Sequence, residues 1–176
     1  MIQGGNMNFT TLTLERYSVR SFKNEPVTEV QIEEILEVAR NAPTACNRQP
    51  QRIFVLFSHV GREKIKRSTE CHFNAPLFFV VCYDRNESWK RAFDEQDYGM
   101  VDASIVMTQM MLKIHEMKLG STFVAWFDPQ ILRQELQLPD NLIPVGILPC
   151  GVPADNSAPL DMHSDKKALS DITTFI

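Results

Sequence analysis

Two short segments carry the residue types best suited to chemistry: RYSVRSF at 16–22 and APTACNRQPQ at 42–51. In the first, Arg16, Ser18 and Arg20 alternate, so an extended backbone turns all three side chains the same way. Two guanidinium forks and a hydroxyl in a row form the donor set for planar, bidentate phosphate recognition. The second segment is a Pro-bounded loop of small and amide side chains, suited to lying close against a flat polar ring. Together they suggest a bound phosphorylated heterocycle. A plainer reading stands beside this one: Arg16 and Arg20 are ion-pair partners on an edge strand, and the loop is a connector.

Side-chain catalysts are hard to find. There is no GxSxG, no HExxH, no P-loop and no GxGxxG after a strand. His59, His72, His115 and His163 stand alone, and His115, on a long apolar helix, reads as a core or interface residue. Phosphate donors without an acid–base or nucleophile constellation are expected where a cofactor supplies the reactivity. The four cysteines form no CxxC pair, and no histidine lies at ligand spacing from them. Neither a metal site nor a disulfide framework is therefore expected. Cys82 and Cys150 read as small buried hydrophobes, and Cys46 as a small residue that its loop needs. A net charge of −4 with well-mixed signs argues against a nucleic-acid surface. No 18-residue apolar window and no basic-then-apolar leader is present, so no membrane contact is expected and the cytoplasm is the default.

The elements that must position these residues can be read from periodicity. At 176 residues one domain is expected, spanning 9–176, with 1–8 a disordered or vector-derived extension. Thr28 and Gln31 form a capping-box pattern ahead of a stripe of Ile32, Ile35, Leu36 and Ala39, and Asn41-Ala42-Pro43 ends that helix. Apolar runs at 52–57 and 77–84 read as buried strands, with a short charged helix between them. From about Asp97 to Lys118 runs the longest helix, apolar round most of its circumference, with Gly120 as its stop. Such a helix must be covered on most sides. Either a sheet covers its back and another subunit its front, or it is sandwiched within one chain. Residues 121–127 read as a strand, Asp128-Pro129 as a helix start, and 143–151 as the last strand. The tail, ending in apolar residues, is expected to dock on something.

The order of these features resembles the nitroreductase family of FMN-dependent oxidoreductases. RYSVRSF, a capped helix and NAPTACNRQPQRIFVL carry the likeness. It continues through DASIVMTQMML and LGSTFVAWFDPQILRQELQLP to Gly151, Pro153 and the pair Lys166-Lys167, spanning about Leu14 to Leu169. The resemblance implies an α+β fold: three α/β/α layers with a mostly antiparallel central sheet, in an intertwined homodimer with FMN at the interface. It implies that Arg16 and Ser18, with Tyr17 between them, hold the phosphate and ribityl chain, and that Arg20 lies near the N1/O2 edge of the flavin. Pro43, Thr44, Ala45 and Asn47 match a loop that reaches the flavin from the partner subunit. Phe123, Val124 and Ala125 match a strand end beside the ring, and Lys166 falls on a phosphate-binding position. No side chain is assigned as catalytic, since the flavin supplies the chemistry. The implied activity is hydride transfer from NAD(P)H through flavin N5, in a ping-pong cycle, to a small planar acceptor such as a nitroaromatic or quinone. Two alternatives remain: a non-catalytic FMN or nucleotide binder acting as sensor or store, or a flavoenzyme with another specific reaction. Thr44, Ala45, Gln51, Ala125 and Lys166 depart from the usual family pattern, and Trp89, Phe93 and Tyr98 are candidates for the pocket wall.

Overall fold

The computed structural model describes residues 8–176. Helix α1 spans Phe9–Glu15, and the Asn8 side chain caps it by accepting from the Thr11 N–H at 2.9 Å. Asn8, assigned above to the extension, is thus the helix N-cap, and the rest of that extension lies outside the described residues. Helix α2 (Glu29–Arg40) carries the expected reciprocal capping box between Thr28 and Gln31 and ends at Asn41. Strand β1 (Gln51–Leu56) leads to α3 (His59–Ser68), capped by Ser58, and then to β2 (Leu77–Asp84). The long helix α4 spans Gly99–Glu116, followed by β3 (Gly120–Ser121), α5 (Pro129–Leu136), β4 (Leu142–Gly151) and the short α6 (Leu169–Ile172).

The four strands form one sheet in the order β1-β2-β4-β3, with every neighbouring pair antiparallel. All eight residues of β2 are buried, and their alternation divides the core into two. Leu77, Phe79, Val81 and Tyr83 pack with Ile35 and Ala39 of α2 and with Ala103, Val106, Met107, Met110 and Ile114 of α4. Phe78, Val80 and Cys82 pack on the other face with Ile65 of α3, Leu132 of α5 and Ile147 of β4. This makes the three α/β/α layers that the family resemblance implies. Gly99 is required by proximity: a Cβ there would stand 2.0 Å from the Tyr83 ring, so only glycine lets α4 settle on β2.

Two expectations need correction. The strand expected over 121–127 is only two residues long, with an isolated bridge resuming at Val124 opposite Ile147. Thr122 falls in register with Pro149, which has no N–H to donate at that rung, and the ladder breaks there. Gly120 is not the stop of α4. The left-handed residue after that helix is Lys118, at φ 59°, and Gly120 matters because a Cβ would meet Val19 Cγ2 at 2.6 Å.

Helix α4 is covered by the sheet behind, but not in front. Phe9, Met100, Val101, Ile105 and Leu112 line an open apolar hollow of about 600 Å³, and Met100 is 57% exposed. In the tail, Leu169, Ile172, Phe175 and Ile176 are likewise exposed on the single chain. Among the described residues no helix is long and apolar enough to cross a membrane.

Candidate functional site

The Arg16–Phe22 segment leaves α1 in extended conformation and runs along the edge of the sheet. The Val19 N–H donates to the Ser121 carbonyl at 3.0 Å, Ser18 bridges Ser121, and Phe22 bridges Pro153. Val19 points into the core. Arg16, Tyr17, Ser18 and Arg20 line a cavity of about 110 Å³, closed on its far side by Leu160, Met162 and His163. The tail is held there by the Tyr17 hydroxyl, which donates to the Ser157 carbonyl at 3.3 Å, and by a His163 Nε2 contact with the Leu14 carbonyl at 3.1 Å. Arg20 Nη1 turns back to the Ser18 carbonyl at 3.1 Å. Among the described residues neither Arg16 nor Arg20 has an ion-pair partner, which removes the plainer reading of this segment. Two guanidinium groups without ion-pair partners among the described residues, a hydroxyl and a phenol around one small cavity could hold an anion of phosphate size. Lys166 does not line it; its ammonium donates to the His163 carbonyl, one turn away.

The 42–51 loop owes its shape to backbone strain held by a few bonds. Cys46, Asn47 and Gln49 all have φ near 50°, unusual for residues with a Cβ. The Thr44 hydroxyl accepts from the Gln49 N–H at 3.0 Å. The Ala45 N–H donates to Asp102 Oδ1 at 2.9 Å. Asp102, in the first turn of α4, is 2% exposed, and its Oδ2 is buried with no partner among the described residues. Sequence reasoning missed this anchor. The signal was a lone carboxylate between Val101 and Ala103 on a helix otherwise apolar on most sides.

The two motifs are not brought together within one chain. The loop is fixed at the N-terminal end of α4 by Asp102. The arginine row is at its other end, where Gly120 packs on Val19 and the charge of Arg16 reaches His115. At 1.5 Å per residue, Asp102 and His115 are separated by roughly 20 Å along the helix. His115 itself is half-buried, its Nε2 has no partner among the described residues, and burial holds its pKa below the ordinary histidine value. Phe123, Val124 and Ala125 follow Ser121, and so lie on the side of the arginine row. Val124 is buried, while Phe123 and Ala125 are exposed. Ala125 and the 77% exposed Trp126 open onto a second cavity of about 560 Å³ shared with Lys66, Arg67 and Thr69. Of the candidate wall aromatics, Trp89 and Tyr98 pack edge to face at 5.2 Å and Phe93 is exposed. The sheet thus presents a row of donors round a small cavity beside a strand end, and the candidate residues of the 42–51 loop lie at the far end of an uncovered apolar helix.

Known proteins share this fold. The family model described as the Nitroreductase family matches residues 13–76 and 68–152. A solved nitroreductase family protein from Clostridium difficile is 38% identical, with a TM-score of 0.91 over 96% of this chain and 98% of that one. An FMN reductase [NAD(P)H] of Bacillus subtilis is 28% identical over 80% of this chain, which spans 64% of that protein. An NADH dehydrogenase of Thermus thermophilus is 26% identical, covering 85% of this chain and 88% of its own length.

Proposed function

The chain belongs to the nitroreductase family, and from that premise we propose that it is a homodimeric FMN-dependent oxidoreductase using NAD(P)H. The observation that carries this reading is the cavity of Arg16, Tyr17, Ser18 and Arg20, whose two guanidinium groups have no ion-pair partner among the described residues. That donor set fits the phosphate end of FMN, with Arg16, Tyr17 and Ser18 on the phosphate and ribityl chain. Lys166, one turn from the cavity, adds a second line of positive charge. Phe123, Val124 and Ala125 stand where a planar ring would continue from that phosphate, along the sheet edge. FMN held there would supply two-electron chemistry at N5, taking hydride from NAD(P)H and passing it to the acceptor in a ping-pong cycle.

The residues of this chain supply the rest. Arg20 would place a cation beside the bound ring, toward its N1/O2 edge, and so favour the more negative, reduced form. Pro43, Thr44, Ala45 and Asn47 complete the site from a second copy. Within one chain they lie roughly 20 Å from the arginine row, and the open apolar face of α4 runs between the two. Pairing two copies antiparallel across that face brings each loop to the other chain's arginine row. The exposed apolar tail then docks on the partner. The acceptor is a small planar electron-poor molecule, a nitroaromatic or quinone, admitted where Trp126 and Ala125 leave the surface open. Four cysteines, all free, suit the reducing cytoplasm.

The test is the visible spectrum of the purified protein with FMN. Bands near roughly 370 and 450 nm, bleached by NADPH under argon and restored by menadione, are the expected result for a flavin oxidoreductase. FMN binding without bleaching would favour the sensor or storage reading. A protein that FMN neither colours nor stabilises against heat would overturn both.

A further inference from the structure

A second group of uncompensated cations lies near the 42–51 loop. Arg48, Arg85 and Lys90, with Asn86, Ser88 and Trp89, line a cavity of about 470 Å³. Among the described residues none of these three cations has an ion-pair partner, whereas the neighbouring Arg52 and Arg91 are paired with Glu87 and Asp94. In a chain of net charge −4, three like charges left around one hollow repel each other, and an anionic occupant relieves that repulsion. The hollow has a rigid frame. Asp84 accepts from the Asn86 N–H at 2.9 Å and from Asn141 Nδ2 at 2.8 Å. The Ser88 N–H donates to the Asp84 carbonyl at 3.0 Å, and its hydroxyl to the Arg85 carbonyl at 3.2 Å. Trp89 is braced edge-on by Tyr98 and remains half-buried, which leaves part of the indole available to a flat ring.

Three cations beside an indole suit a phosphomonoester carried near a purine: the first supplies charge-assisted donors, the second a stacking surface. Location narrows the occupant. Arg48 directly follows Asn47, in the loop that the proposed dimer delivers to the partner's cofactor. We propose that this cavity receives the 2′-phosphoadenosine end of NADPH and makes the enzyme prefer NADPH to NADH. The proposal rests on the NAD(P)H reading above and adds the binding subsite that discriminates the two donors.

The experiment has two arms. Calorimetry at low ionic strength compares adenosine 2′,5′-bisphosphate with AMP on the FMN-loaded protein. Tighter binding of the bisphosphate by about tenfold or more is expected, since one charge-assisted hydrogen bond is enough for that factor. In the combined variant Arg48→Ala, Arg85→Ala, Lys90→Ala that preference disappears, and the ratio of kcat/KM for NADPH over NADH falls by at least about tenfold. Lys90→Glu, at an exposed position, lowers the same ratio and serves if the combined variant folds poorly. Equal binding of bisphosphate and AMP, or an unchanged ratio in Lys90→Glu, overturns the subsite. Bisphosphate preference without any nucleotide oxidation supports the cavity and overturns the activity, so the two failures are distinct.

Discussion

Asp102→Ala separates what holds the 42–51 loop from what holds the fold. The carboxylate accepts the Ala45 N–H at 2.9 Å, and a hydrogen bond to a charged group contributes about 1.5–3 kcal/mol. Its other oxygen is buried without a partner among the described residues, and leaving such an atom unpaired costs about 1–3 kcal/mol. Removing the side chain loses the first quantity and recovers the second. A few tenths of a kcal/mol of interaction with the α4 N-terminus also go, about 0.3–1 kcal/mol. Global stability therefore changes by about 1 kcal/mol, a Tm shift of about 2–4 °C for a chain of this size. The loop has no such compensation. With Cys46, Asn47 and Gln49 all in left-handed conformation, it loses its tether to α4, and about 2 kcal/mol corresponds to a roughly 30-fold shift toward the open loop. Hydrogen exchange should show the amides of 44–49 opening about 30-fold faster, while those of β2 follow the global change and shift by no more than about fivefold, with FMN affinity falling about tenfold or more. Asp102→Asn keeps one carbonyl acceptor and should fall between the two. Unchanged exchange across 44–49, or a loss of Tm beyond about 8 °C with the loop still protected, would refute the reasoning.

Other outcomes follow from the same geometry. Arg20→Ala should lower the flavin reduction potential by about 30 mV, equivalent to 1.4 kcal/mol in a two-electron couple, without unfolding the protein; an unchanged potential in spectroelectrochemistry would remove the assigned role. Val101→Glu puts a charge on the open face of α4, where Val101 is 48% exposed, and should reduce the mass in light scattering to that of one chain, with loss of FMN. The Asn141 side chain and the Asn86 N–H hold the Asp84 pKa below the ordinary 3.8. The stability this adds is fully present above pH 3.8 and is lost as pH falls through the lower folded value. Asn141→Ala removes the larger cause, so the variant's deficit in denaturant midpoint should be constant above pH 3.8 and shrink below it; a deficit unchanged at the lower pH would refute the assignment.

Much of the fold was legible because it is local or periodic. The Thr28–Gln31 capping box, the Asp128-Pro129 helix start and the eight-residue run of β2 need only near neighbours or a period of two, and each was found where the pattern put it. Where the reading failed, a distant residue decided. The strand at 121–127 has the right composition, but Pro149 on β4 withholds the donor at one rung. The helix stop was assigned to Gly120 by residue type, whereas that glycine is needed for its contact with Val19.

The candidate site divides in the same way. Arg16, Ser18 and Arg20 could be read as one row because alternation on an extended strand is a property of the chain alone. That those arginines have no ion-pair partner among the described residues, and that Met162 and His163 close their cavity from some 140 residues downstream, depends on how the tail crosses α1. Asp102 shows the limit most clearly. Nothing in its neighbours along the chain says whether a carboxylate on an apolar helix faces water, a partner or a loop 57 residues away. Sequence alone determined the main elements and the donor row, since these follow from periodicity and residue type, while the layers came from the family resemblance. Tertiary structure decided that the loop and the row sit at opposite ends of α4, because the length of a rigid helix, and not the order of residues, sets the distance between them.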